Sequence, residues 1–536
     1  MATSPIDVLR PQLQNLFRMR WNILPWEIYY PWWRRPAKCR ILFYTDSSVH
    51  LSGGSFQGIM YVKTLLESRA YYYVDFDIDV CNRDGTDPTA TIGAGTPRKL
   101  TDLDIINKYD QIWLFGFNSG ASLDAAEVSL MDQFMAAPKY GGVLTTGDHA
   151  SLGKGLSGQI SRVGEMRLYP APPNSPPGWN TTLVQRGGDP ISFNDQSDDV
   201  PQRIRWRRYY AGPLRARPHP VLCGPDGPID VLPDHQHEGE ALAPSVAGKP
   251  AWPSGPSGQQ EPEVIAWGRI SDPAASRYGQ EIGVVSVYNG HMADVGRIVA
   301  DSTWHHWFDI NLTGINGAGP PYEGFDATIA GQAALKKIDA YFLNCGVWLA
   351  PPAVQSSMRL AALWSVIWED IIVELPLDAS LLHWGKAGLD ALGRRVSRCA
   401  VFDFVWPKEP IYKPKIPWWE WQMLPPELDF LDLPFEQYLA GGILRELSAR
   451  FGVHSKRRIS DGPPRDAELE RAFSEGADRA VESLREDVMR QTRLLSRAVE
   501  QGFSAKGLFE VVKDRQSDPE PGPGGGRRPG GGRRPG

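Results

Sequence analysis

Apolar positions follow two different rhythms along the chain. Between residues 38 and 350, short apolar runs with strand character alternate with stretches at helical spacing. After Pro351-Pro352 the spacing is helical and rich in tryptophan. The first rhythm predicts strands at residues 39–45, 71–80, 111–117 and 141–146, with helices at 56–68, 102–108, 123–137 and 155–169. Further strands are expected at 203–210, 229–232, 263–269, 283–288 and 295–302, the last completing the sheet. A helix over 332–349 then closes the domain. Strands alternating with helices imply an α/β fold with a doubly wound, mainly parallel sheet. The second rhythm predicts an added α-helical C-terminal region, with helices at 354–375, 377–401 and 435–451. A long amphipathic helix over 466–502 carries Leu469, Phe473, Ala477, Leu484, Val488, Leu495 and Val499 on one stripe.

Five segments follow from this pattern: an aromatic, proline-rich arm (1–37), the α/β domain (38–350), a Trp/Pro-rich helical region (351–462), the amphipathic helix (463–515) and a Gly/Arg/Pro tail (516–536). Repeated prolines argue against a long helix in the arm, which is expected to strap across a neighbouring domain. Residues 170–202, rich in Pro, Gly, Asn and Asp, read as an irregular insertion, and the tail is expected to be disordered. The tryptophan clusters at Trp32-Trp33 and Trp418-Trp419 offer packing surface, within the chain or between two copies as a homo-oligomer.

Composition narrows the function classes. Hydrophobic residues make up 42% of the 536 and charged ones 22%, as in globular proteins. A net charge of −6 argues against a general nucleic-acid binder. The five cysteines are odd in number and lack CxxC pairing, so no disulfide framework is expected and a reducing, cytoplasmic setting is. No apolar run reaches the ~18 residues of a membrane span, and the N-terminus lacks the apolar core of a signal peptide.

Candidate chemistry gathers where strands end. The run 141–146 meets Gly147-Asp148-His149-Ala150-Ser151, a strand–helix junction of the kind where α/β sheets bind ligands. A P-loop is rejected there, because Gly155 follows Lys154 where Ser or Thr should hold magnesium. His149 can accept and return a proton near neutral pH, with Asp148 as its orienter or a metal ligand. Asn118, leading Ser119 and Gly120, is the candidate oxyanion or hydroxyl donor. Asp46, Ser47, Ser119, Gly120 and His305 are candidate substrate contacts. His235 and His237, in Asp234-His235-Gln236-His237-Glu238, suit a divalent metal such as zinc, iron or manganese, or else bond within their own loop. Ser47 or Ser119 as a nucleophile lacks the Gly-x-Ser-x-Gly elbow.

The order of elements, with the loop Gly116-Phe117-Asn118-Ser119-Gly120 and the elbow Gly147-Asp148-His149-Ala150-Ser151, resembles the class I glutamine amidotransferase-like superfamily. That family's elbow reads Gly-x-Cys-x-Gly, whereas this chain carries His149 in the slot and Ser151 at the second glycine. Histidine in the slot is similar to the trehalose-utilisation (ThuA-like) branch. So are His219-Pro220-Val221 and the strand followed by Asn289-Gly290-His291 and Gly296-Arg297. The resemblance spans residues 38–350 and implies a flavodoxin-like, amidotransferase-like sheet without glutaminase activity. It also implies a small polar substrate, with carbohydrate metabolism the nearest field. Two readings stay open. One is an enzyme of hydrolase, lyase or isomerase type using His149, with a divalent metal as the candidate cofactor. The other is a non-catalytic scaffold assembling through the Trp-rich arm and C-terminal helices.

Overall fold

The computed structural model describes residues 5–21, 36–47, 49–52, 58–118, 122–148, 151–168, 201–210, 216–233, 239–255, 258–271, 273, 277–314, 324–325, 328–393, 435–453, 455 and 464–500. Eight strands form one sheet: β1 (Ala37–Thr45), β2 (Val74–Asn82), β3 (Gln111–Phe115), β4 (Gly142–Thr145), β5 (Arg205–Trp206), β6 (Glu263–Arg269), β7 (Glu281–Tyr288) and β8 (Ile298–Asp301). Their spatial order is β2-β1-β3-β4-β8-β7-β6-β5. The first five run parallel. Strands β7, β6 and β5 continue the sheet antiparallel. The sheet is therefore mixed. β8, expected to complete it, sits in its interior between β4 and β7.

Parallel strands covered on both faces need apolar side chains in both directions. Strand β3 is buried at every position. Ile112 and Leu114 join Leu42, Tyr44 and Val143 in one layer, under Met131 and Phe134 of α3 (Ala125–Met135). Trp113 and Phe115 join Ile41, Phe43 and Leu144 in the opposite layer. That layer is covered by α2 (Met60–Glu67) and by α4 (Ile329–Leu349), through residues such as Leu65, Leu335 and Phe342.

The C-terminal helices are α5 (Pro352–Val366), α6 (Leu381–Gly393), α7 (Phe435–Phe451) and α8 (Asp466–Glu500). Their apolar faces extend the α2/α4 core rather than forming a separate one. α7 and α8 approach closely where Gly442 meets Gly476; a Cβ on Gly442 would lie 2.3 Å from the Gly476 carbonyl oxygen. Along the expected stripe of α8, Leu469, Phe473 and Ala477 are buried, Leu484 and Val488 half-buried, and Leu495 is 53% exposed. The side chain of Val499 lies outside the described residues, as do 394–434 and the tail 501–536.

Several expectations are corrected. Residues Pro5–Arg20 form helix α1 despite the prolines. Pro5 opens the helix, where its missing N–H costs nothing, and Pro11 lies inside it. Burial of Leu13 and Phe17 offsets that defect. The helix ends on a clasp: Arg20 Nη1 donates to Asp339 Oδ2 (2.9 Å) and to the Tyr61 hydroxyl (2.6 Å). Residues 22–35 of the arm lie outside the described residues.

The helix expected over 155–169 shrinks to Lys154–Ser157 and a 3-10 turn at Val163–Met166, because Gly155, Gly158 and Gly164 weaken it. The strand expected at 203–210 breaks into two-residue pieces, of which Arg205–Trp206 alone joins the main sheet. Nearly all of the 170–202 insertion lies outside the described residues. Cys223 is disulfide-bonded, against the expectation of none; linear spacing does not report how distant cysteines approach in space. Cys39, Cys81 and Cys345 are buried free thiols. Among the described residues no helix is long and apolar enough to cross a membrane.

Candidate functional site

Four neighbouring parallel strands, β1, β3, β4 and β8, deliver their carboxyl ends to one edge of the sheet. Chain order reverses between β1 and β3, the position at which open α/β sheets leave a crevice for ligands.

At that position Asp46 follows β1 directly and is wholly buried. Its Oδ2 accepts the backbone N–H groups of Phe117 (2.7 Å) and Asn118 (2.5 Å), just beyond β3. Asn118 Nδ2 in turn donates to Ser47 Oγ at 3.0 Å. Three of the predicted residues thus form one cluster. Ser47 and Asn118 are half-buried, so this cluster keeps a face toward solvent.

The backbone behind it is packed through glycine. A Cβ on Gly116 would lie 2.5 Å from the Gly153 Cα, and one on Gly153 would lie 2.7 Å from the Gly147 Cα. Gly153 also has φ +83°, the left-handed region. The spacing of Gly147 and Gly153 therefore serves contact between three chain segments.

The second cluster lies across β4 and β8 and is sealed. The Asp148 Oδ2 accepts the Thr303 hydroxyl at 3.1 Å and lies 3.2 Å from His305 Nε2. The other ring nitrogen of His305 lies 3.4 Å from Asn311 Oδ1. Thr303 Oγ1 also accepts the His305 N–H (3.1 Å), fixing the turn that carries the imidazole.

Beside this pair stands another. His306 Nδ1 lies 2.6 Å from Asp301 Oδ1, and the Tyr341 hydroxyl donates to Asp301 Oδ2 at 2.6 Å. Burial, and then the Asp301 charge, push the Tyr341 phenol well above its usual range. Both Asp-His pairs are inaccessible to solvent. Arg167 braces them from behind, donating to the carbonyls of Asp301 (2.6 Å) and Ser302 (2.7 Å).

Aromatic rings join the two clusters. Phe117 packs on Trp304 with centroids 4.8 Å apart, and Trp304 lies against His305 at 3.4 Å. Further along, both carboxylate oxygens of Asp309 accept the backbone N–H groups of Met60 (3.1 Å) and Tyr61 (2.8 Å) at the start of α2. Burial pushes the Asp309 carboxyl up to about 7, opposed by those two hydrogen bonds.

The structure thus brings Asp46, Ser47 and Asn118 together, and pairs Asp148 with His305. The predicted residues His149, Ser119, Gly120, His235 and His237 lie outside the described residues. Asp148, expected to orient His149 or bind metal, lies beside His305. His305, expected at the substrate, is 0% exposed. Among the described residues no group of three or more His, Cys, Asp or Glu side chains is arranged to hold a metal ion.

Sequence reasoning singled out His306 beside His305 but missed Thr303, Asn311, Asp301, Tyr341 and Arg167 as members of the edge. The polar run Asp301–Asp309 held a signal for Asp301 and Thr303. Arg167 had none, because it binds backbone carbonyls that any residues could supply. The segments resembling the trehalose-utilisation branch have packing roles here. His219 Nδ1 accepts the Val221 N–H (3.2 Å), and Arg297 bonds Asn289 Oδ1 (2.8 Å) and the Trp348 carbonyl (2.8 Å).

The family models, curated proteins and solved structures compared with this chain gave no match.

Proposed function

We propose that this chain is an enzyme on an amidotransferase-like, flavodoxin-like sheet, without glutaminase activity, acting on a small polar substrate of carbohydrate type. The observation that carries the reading is the Asp46-Ser47-Asn118 cluster at the strand-order reversal, with Asp46 buried and Ser47 and Asn118 half-buried. The parallel strand order β2-β1-β3-β4-β8 supports it, since it is the flavodoxin-like order whose ligands occupy that crevice. In this reading Ser47 and Asn118, with Ser119 and Gly120, bind substrate hydroxyls or a developing oxyanion. Asp148 is held by Thr303 and His305, and so anchors the backbone that leads into His149, the acid/base. His235 and His237 would hold a divalent metal if one takes part.

A second reading, a non-catalytic scaffold, is favoured by one observation: both Asp-His pairs are sealed and serve the edge as internal braces. Pairing of two copies through the arm and the C-terminal helices belongs to that reading. The cellular compartment is also a proposal: cytoplasm fits the sequence, while the Cys223 disulfide fits an oxidising one.

One experiment separates the readings. Metal content is measured, and thermal-shift screening of sugars and sugar acids is run on the wild type, His149→Ala and Asn118→Ala. The enzyme reading expects a ligand whose stabilisation disappears in both variants. No metal and no ligand dependent on His149 would favour the scaffold.

A further inference from the structure

The helices beyond residue 351 enclose a groove of about 670 Å³ between the start of α6, the face of α7 and the second half of α8. That volume lies within the range of small-molecule sites, ~300–1,000 Å³. Its wall is polar and rich in guanidinium: Arg445 from α7, and Arg490, Arg493 and Arg497 from α8. The spacing of the last three places them on one side of the helix.

Acidic groups share the wall and set the balance. Asp487 is engaged, pairing with Arg490 and accepting the Tyr438 hydroxyl. Asp378 and Glu486 remain to offset three arginines. Among the described residues, Arg445, Arg493 and Arg497 form no ion pair. Glu446, the acidic residue next to Arg445, is already taken by Arg450 and Arg479. Arg445 is half-buried; burial and then the Arg479 charge pull its guanidinium below the usual value, with Glu446 opposing. A partly desolvated cation facing a polar groove, with no carboxylate of its own, is stabilised by an anion that enters.

We propose that this groove binds a small, multiply charged anion bearing phosphate groups. Guanidinium presents paired N–H donors that match phosphate oxygens two at a time, which a lysine cannot do. The site lies in the C-terminal helices and does not depend on the reading given to the sheet edge.

Titration calorimetry of the full chain with inorganic tripolyphosphate at low salt tests it. One bound anion per chain is expected. Arg493→Gln/Arg497→Gln, two exposed positions, should weaken it at least tenfold with the circular dichroism unchanged. Arg445→Gln should weaken it similarly, and Glu486→Gln should tighten it several-fold. Arg208→Gln, an exposed arginine just past β5 that does not line the groove, should leave it unchanged. Absence of binding, affinity unaltered by the Arg493/Arg497 pair, or equal weakening by Arg208→Gln would overturn the proposal.

Discussion

Asp148, beyond the end of β4, and His305, beyond the end of β8, meet with Oδ2 and Nε2 3.2 Å apart, and neither side chain reaches solvent. Two elements distant in sequence are thereby locked at the edge that carries the candidate site. Removing one partner leaves a polar group buried without its complement, which costs about 3–5 kcal/mol. Asp148→Asn and His305→Gln should each lower stability by that order in urea unfolding. The double variant should fall short of the sum by at least ~1 kcal/mol. Strict additivity would dissolve the pair.

Asp309 makes a pH prediction. Its folded carboxyl is raised to about 7 from the ordinary 3.8, with burial as the leading cause. The folded state therefore holds the proton more tightly than the unfolded one. That contribution is complete below the unfolded value and is lost as pH rises through the folded one. Urea midpoints should accordingly fall between pH ~4 and ~7, at up to ~1.4 kcal/mol per unit. Asp309→Asn should flatten that slope, and an unchanged slope would assign it to other groups.

Gly153 should resist substitution more than an open glycine of similar backbone. Gly153→Ala meets both the φ of +83° and the Gly147 backbone, whereas Gly248 (φ +74°) has nothing within 4 Å of its would-be Cβ. Gly248→Ala is expected to cost ~1–2 kcal/mol from conformation alone. Gly153→Ala should cost at least ~2 kcal/mol more, because backbone cannot yield as a flexible side chain can. Equal melting temperatures for the two variants would contradict the contact.

The clasp of Arg20 on Asp339 predicts the fate of α1. Burial raises the Asp339 carboxyl, and Arg20 is the largest influence holding it down. Arg20→Ala should destabilise the chain by ~2–4 kcal/mol and speed amide exchange throughout α1. Exchange in α1 unchanged from wild type would show that Leu13 and Phe17 alone hold the helix.

Strands β1 and β3 were legible because parallel strands buried on both faces carry continuous apolar residues, as at Ile41-Leu42-Phe43 and Ile112-Trp113-Leu114. Asp46, Asn118 and Asp148 were legible too, as polar residues placed directly after those runs. Their partners were not. Nothing local marks Asp148 as bonding Thr303 and His305, since that contact depends on β8 lying next to β4. Helix α1 was missed because Pro11 weighs heavily in a local reading, while its compensation is tertiary, from the burial of Leu13 and Phe17 and the clasp of Arg20 on the distant Asp339. Strand β8 was found, but its interior place depends on pairing, which periodicity does not encode.

The placement of β8 also orders events during synthesis. Its neighbour β4 emerges from the ribosome roughly 150 residues earlier, an interval on the order of 10–30 s at typical elongation rates. Until then one flank of β4 presents unpaired amides and carbonyls, open to pairing with any extended chain nearby. Asp148 waits for His305 over the same interval. The nascent protein is thus most prone to aggregation midway through translation, and the sheet edge that carries the candidate site is assembled late.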